Sequence, residues 1–300
     1  MRLDRRGFLT SMGAALAAGG VLSSTRPLES AGGTDPSAFE GREVFDRLVA
    51  QARERRWSEL PIGERIGAVG MALRQTPYVA STLELYDDRE VCSVDFRGLD
   101  CVTFFELALA FARMLKRGER STDALLAEVT FLRYRGGHLS DYASRLHYLS
   151  DWFADNQAKR VVRLITPELP GAERFARRVS FMSTHPAAYR QLKASPEQLV
   201  KITAREAEIN ARVTYYLPRE KVAAAQRLLM TGDIIGVTTT IEGLDCAHSG
   251  LCYRDEAGTP RLLHASTTRN AVILDEDLAT YVRSVRTHSG IMVARPLEAT

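Results

Sequence analysis

The sequence predicts an α+β fold, one buried helix packed on an antiparallel sheet, and three features predict it. Residues 41–74 carry apolar positions at helical spacing, residues 101–116 are apolar on nearly every face, and the chain after Leu217-Pro218 turns to short strand-like segments. Helices first and a meander last is an α+β order. With 300 residues, 45% of them hydrophobic, the chain is long and apolar enough to bury a sizeable core.

The first element is a leader. Arg5-Arg6-Gly7-Phe8-Leu9-Thr10 precedes an Ala/Gly-rich stretch from Ser11 to Leu22. A basic start and a short apolar run read as an export signal, and the paired arginines resemble the twin-arginine type. Residues 1–30 are therefore assigned to a signal cut between Ala18 and Ala31, and residues 31–40 to a linker. The expected destination is the periplasm. The apolar run is too short and glycine-rich for a membrane span, so the mature form is expected to have none. The formal charge of +3 falls to +1 without residues 1–30, which hold four Arg, one Asp and one Glu. No dense Lys/Arg tract occurs, which argues against a nucleic-acid partner.

From Gly41, Val44, Phe45, Leu48, Val49 and Ala52 recur at helical spacing; after Pro61, Ile66, Val69, Gly70 and Leu73 mark a second helix over 62–74. Thr76-Pro77-Tyr78 leads into an expected short strand over 79–86, and the alternation of 91–96 predicts another. Arg97-Gly98-Leu99 is a turn. Asp100 then occupies an N-cap position and Cys101 opens the helix that runs to about 116. Residues 119–215 read as an insertion of polar helices and loops. Strands are expected over 232–237, 246–253 and 261–266, the last two joined as a hairpin by the polar turn at 254–260. Residues 41–300 are taken as one catalytic domain without internal repeats.

Cys101 is the first candidate for chemistry. At a helix N-terminus the dipole and free N–H groups favour a thiolate and an oxyanion, although a free cysteine is also commonly a small buried hydrophobe. His248 sits in a strand of small residues and is the candidate base. His264, on the strand paired with it, is the candidate orienter, since cross-strand neighbours lie within about 5 Å. A rival reading takes Cys246, His248 and Cys252, two or four residues apart on one strand, as metal ligands. It lacks a fourth ligand, so neither metal nor cofactor is expected. Four cysteines spread over so long a chain do not suggest a disulfide scaffold.

Leu99-Asp100-Cys101-Val102-Thr103-Phe104-Phe105-Glu106, Gly232-Asp233-Ile234-Ile235, Ala247-His248-Ser249-Gly250-Leu251 and Leu263-His264-Ala265-Ser266 occur in that order. Together they resemble the nucleophile helix and sheet strands of the NlpC-type papain-like cysteine peptidase superfamily. Asp-Cys-Val-Thr-Phe and the stretch from Ser144 to Trp152 are most similar to its N-acetylmuramoyl-L-alanine amidase-like family, over roughly residues 40–295. Val102 stands where many superfamily members carry Ser or Gly. The resemblance implies a papain-like fold and a peptidoglycan or muropeptide substrate. The implied reaction is cysteine-dependent hydrolysis of the N-acetylmuramoyl–L-alanine amide. More distant relatives cut between D-Glu and the diamino acid of the stem. It also implies that Tyr78 lines the cleft. Arg145, His147 and Trp152 are candidates for sugar or stem recognition; the alternative is that Leu146, Tyr148, Leu149 and Trp152 form a buried helical stripe. A non-catalytic wall-binding module and an acyl transferase or hydrolase on the same fold are the other readings of the cleft.

Overall fold

The computed structural model describes residues 39–299. The expected export signal and all but the last two residues of the linker lie outside them. Phe39–Glu40 (β1) pairs in parallel with Val94–Asp95 (β2). Between them, Arg42–Glu54 (α1) buries Phe45, Leu48 and Ala52, and Ile62–Ala72 (α2) buries Ile66 and Val69. Both helices obey the spacing that puts one stripe on a core. Gly70 lets α2 approach closely. A Cβ there would come within 2.9 Å of Leu263 Cδ2 and 3.4 Å of Phe104 Cζ.

Cys101–Lys116 (α3) is the centre of the molecule, and every residue from Thr103 to Leu115 is buried. Asp100 caps it: its Oδ1 accepts from the N–H groups of Val102 (3.0 Å) and Thr103 (2.7 Å), while Thr103 Oγ1 accepts from Asp100 N–H (2.9 Å). This reciprocal cap fixes where the helix begins. Two charges on α3 are buried with partners from Thr122–Arg133 (α4). Arg133 donates to Glu106 at 2.8 Å, and Arg113 donates to Glu128 at 2.9 Å. Leu149–Ala158 (α5) covers α3 through Trp152, which packs edge-on against Phe105.

Val162–Leu164 (β3), Glu173–Arg174 (β4), Phe181–Thr184 (α6), Arg190–Ala194 (α7) and Pro196–Asn210 (α8) complete the expected insertion. Tyr215–Pro218 (β5), Arg219–Ala225 (α9), Ile234–Thr239 (β6), Cys246–Arg254 (β7), Pro260–Ser266 (β8), Ala271–Asp277 (β9), Leu278–Ser284 (α10) and His288–Pro296 (β10) follow. The eight-stranded sheet has the order β4-β5-β10-β6-β7-β8-β9, with β3 also paired to β10, and every pairing is antiparallel. Both faces are buried. Ile234, Leu251, Leu263, Met292 and Ala294 meet the α2–α3 core; Ile235, Cys252, Leu262, Ile291 and Val293 meet α9 and α10. A third cluster around Tyr142, Tyr148, Phe181 and Ile202 lies in the insertion.

The mixed α+β architecture agrees with the sequence, and the helix over 101–116 and the 246–266 hairpin fall where the pattern put them. Three expectations change. Residues 79–86 form turns, and of 91–96 only Val94–Asp95 is a strand. Side-chain ion pairs anchor this region instead: Glu84, and Asp87 and Glu90 between the two segments, are held by Arg145 and Arg190. The insertion also contributes β3 and β4 to the sheet. Finally, β9 and β10 have no counterpart among the expected strands. The four apolar residues at the centre of β10, Ile291-Met292-Val293-Ala294, are buried on both faces of the sheet and so show no alternation. Among the described residues, no helix is long and apolar enough to cross a membrane.

Candidate active site

The capped start of α3 sets Cys101 beside β7. Ser249 Oγ donates to the Cys101 carbonyl at 3.0 Å and fastens strand to helix. Cys101 is half-buried. Burial, then the Asp100 carboxylate, push its thiol up to about 12, and hydrogen bonding with Ser249 only partly offsets them. Both effects oppose the thiolate that the helix terminus alone favours.

His248 and His264 do share a sheet face. His248 Nε2 lies 2.6 Å from His264 Nδ1, with the rings edge to face. Gly250 makes room for this contact, because a Cβ there would sit 2.9 Å from His264 Cβ. His264 is 1% exposed. Burial, then the neighbouring His264 and His288, hold His248 well below the ordinary imidazole range, so it is neutral at pH 7.

The chain of rings ends on a carboxylate that the sequence reading did not single out. His264 Nε2 lies 3.1 Å from Asp275 Oδ2, and Asp275 Oδ1 accepts from Glu276 N–H at 2.8 Å. The His264 hydrogen bond holds Asp275 below the usual carboxylate range. Asp275 stands two residues from Ile273, the register partner of His264, beside a β-bulge. Leu263 pairs with Leu274 but Arg261 with Asp277, so Asp275 and Glu276 together oppose Leu262.

Tyrosines close the site. The Tyr281 ring centre is 5.0 Å from that of His264, 6.0 Å from that of His248 and 5.6 Å from that of His288. Tyr78 is half-buried, bridged to Leu99 at the entry to α3 and bonded through its N–H to the Asn270 carbonyl. Burial, then proximity to Cys101, push both phenols up, so both remain protonated donors. Among the described residues, no hydrogen bond joins the Cys101 thiol directly to His248; Ser249, next to His248 in β7, bonds the Cys101 carbonyl, and Tyr281 lies against the His248 ring and close enough to Cys101 to feel its charge. Hydrogen bonds of this kind often tighten only when substrate is bound.

The remaining candidates lie elsewhere. Arg145 is buried between Glu84 and Glu90, and Trp152 is 1% exposed with its indole N–H on Glu106 at 2.8 Å. His147 Nε2 lies 2.8 Å from the Tyr142 carbonyl, its ring against Tyr142. All three side chains are committed to internal partners, as the buried-stripe alternative has it for Trp152. The rival metal set comes apart. A bulge opposite Val237 and Thr238 breaks the alternation, so Cys246 enters the α3-side core and Cys252 the opposite one. Among the described residues, no cluster of three or more His, Cys, Asp or Glu has the geometry to hold a metal ion. All four cysteines are free.

Of the residues sequence reasoning missed, Asp275 opens the Asp-Glu-Asp run at the end of β9, and His288-Ser289-Gly290 repeats the tripeptide His248-Ser249-Gly250. Both signals were available. Tyr281 carried none.

The model of a family described as N-acetylmuramoyl-L-alanine amidase-like matches residues 68–291. An N-acetylmuramoyl-L-alanine amidase from Bacteroides uniformis superposes with a TM-score of 0.73 at 32% identity, covering 79% of this chain and 99% of its own. A Bacteroides fragilis structure provisionally described as a xylanase gives 0.70 at 32% identity, over 76% and 99%. A Legionella pneumophila protein shares the fold at 0.65 with 18% identity, over 86% and 97%. No curated protein matches the chain.

Proposed function

This chain belongs to the N-acetylmuramoyl-L-alanine amidase-like family, and from that membership we propose a cysteine-dependent hydrolase of peptidoglycan fragments. Its bond is the amide between N-acetylmuramic acid and L-alanine. The fold is of the NlpC papain-like type, with residues 41–300 as the catalytic unit. The twin-arginine-like leader sends it to the periplasm. The observation that carries the reading is the His248–His264 contact beside the capped N-terminus of the helix that Cys101 opens.

The reaction starts from neutral partners. As the Cys101 sulfur attacks the amide carbonyl, His248 takes the thiol proton, so thiolate character develops only in the transition state. The oxyanion forms at the start of α3 on the Cys101 backbone N–H, which the Asp100 cap leaves open while it takes those of Val102 and Thr103, and Tyr78 donates its hydroxyl to the same oxygen. His248 then protonates the departing amine of L-alanine. Water, deprotonated by His248, cleaves the thioester and releases the muramic carboxylate. His264 holds the His248 ring throughout. The chemistry needs no metal or cofactor. Arg145, His147 and Trp152 act as the scaffold behind the cleft.

Mass spectrometry of muropeptides incubated with the protein tests this. Expected products are the free sugar acid and a stem with an L-alanine amine, and Cys101→Ala should lower turnover by 10³-fold or more. Turnover that survives in Cys101→Ala would overturn the nucleophile. Products cut between D-Glu and the diamino acid would move the bond.

A further inference from the structure

We propose that Asp275 is a positioning residue that dictates which nitrogen of His248 takes the thiol proton. The inference rests on the reading of Cys101 and His248 as nucleophile and base. It follows from hydrogen-bond bookkeeping along one line of atoms. A carboxylate can only accept, so the His264 nitrogen facing Asp275, Nε2, carries the hydrogen. In its neutral form the His264 ring has this one N–H, which leaves Nδ1 as an acceptor. That atom lies 2.6 Å from His248 Nε2, which must therefore be the donor. His248 Nδ1 is left with a free lone pair, and it is the base. The direction of the whole chain is set at its far end, two hydrogen bonds from His248.

The carboxylate is itself built in. Asp275 stands two residues from Ile273, the register partner of His264, on the same face of the sheet, and Glu276 N–H pins its second oxygen at 2.8 Å. This makes the amide substitution more informative than deletion. In Asp275→Asn the carbonyl oxygen stays on Glu276 N–H, and the NH₂ group faces His264 Nε2. The donor now points the other way. His264 must carry its hydrogen on Nδ1 and donate to His248 Nε2, so His248 carries its own on Nδ1. The base nitrogen is then occupied.

The test is two-bond ¹H–¹⁵N NMR of the histidine rings at neutral pH, with assignments from His248→Gln and His264→Gln, alongside kcat on muropeptides. In the wild type both rings should be Nε2–H tautomers. Asp275→Asn should switch both to Nδ1–H and lower kcat by about 10³- to 10⁴-fold, the scale of a wrong tautomer in a catalytic triad. Asp275→Ala, which imposes no direction, should lose less. An Nδ1–H tautomer of His248 in the wild type overturns the proposal. So does an Asn variant as active as the Ala variant, or one whose tautomers are unchanged. The wild-type spectrum needs neither variant to fold. It also needs no substrate: failure to cut muropeptides would remove the amidase reading while the spectrum still decides the tautomer.

Discussion

The half-buried Cys101 thiol is pushed up and the His248 imidazole down, so the surroundings favour the neutral form of both partners. That has a consequence for pH. His248 is usable as a base only while neutral, and its environment holds it well below the ordinary 6.5. Activity should therefore persist as pH falls through 6.5 and be lost only lower. The acid limb of kcat/KM, which reports the free enzyme, should fall below pH 6.5; a limb at or above 7 would show that the ring is not held neutral. Cys101 was legible in the sequence because an N-cap aspartate just before an apolar run announces a helix start. His248 and His264 were legible because strand alternation and a short polar loop place two residues on one face. Asp275 was not placed, because β9 itself was not expected: the Asp-Glu-Asp run is visible in the sequence, but only the pairing of Ile273 with His264 brings its first carboxylate beside that ring. The upward push on the thiol was also hidden: the helix terminus is a local feature, whereas the burial that opposes it is tertiary.

Among the elements, α3 bears most on the site, since any tilt of this helix moves Cys101. It is clamped by α4 through Glu106–Arg133 and by α5 through Trp152, whose indole shares the same Glu106 carboxylate. Removing Trp152 leaves a cavity against Phe105 and takes a hydrogen bond from a buried charge. Trp152→Ala should cost about 3–5 kcal/mol of stability. A sugar platform would behave differently, raising KM with little change in melting. Urea unfolding and kinetics of the same variant separate the two. The helix was readable because a segment apolar on all sides has nowhere to go but the centre. The insertion's aromatics were ambiguous because Trp and Arg serve equally in a cleft and in a core, and only the placement of Glu84, Glu90 and Glu106 opposite them decides.

For the whole molecule, the buried histidines make folding sensitive to acid. Burial holds His288 down at about 4, against an ordinary 6.5. Below 6.5 the unfolded chain takes a proton that the folded protein refuses, so stability declines from there until the folded value is reached. The linkage is up to about 1.4 kcal/mol per pH unit, on the order of 2–3 kcal/mol in all for this residue. His248 and His147, both held well below 6.5, act in the same direction. Melting temperature should fall between pH 6.5 and 4, and His288→Gln should flatten that fall. Parallel curves for the two proteins would remove His288 as a cause.

The strand order has a consequence for synthesis. Among the described residues β10 follows every other strand of the sheet, yet it lies inside it, with β6 on one side and β5 and β3 on the other. A nascent chain that has emerged only as far as β9 holds two sheet fragments with open edges and no strand to bridge them. Such edges invite pairing with other chains. The two parts of the sheet are therefore joined only once β10 has emerged, while the β6-β7-β8-β9 part that carries His248 and His264 can pair before it.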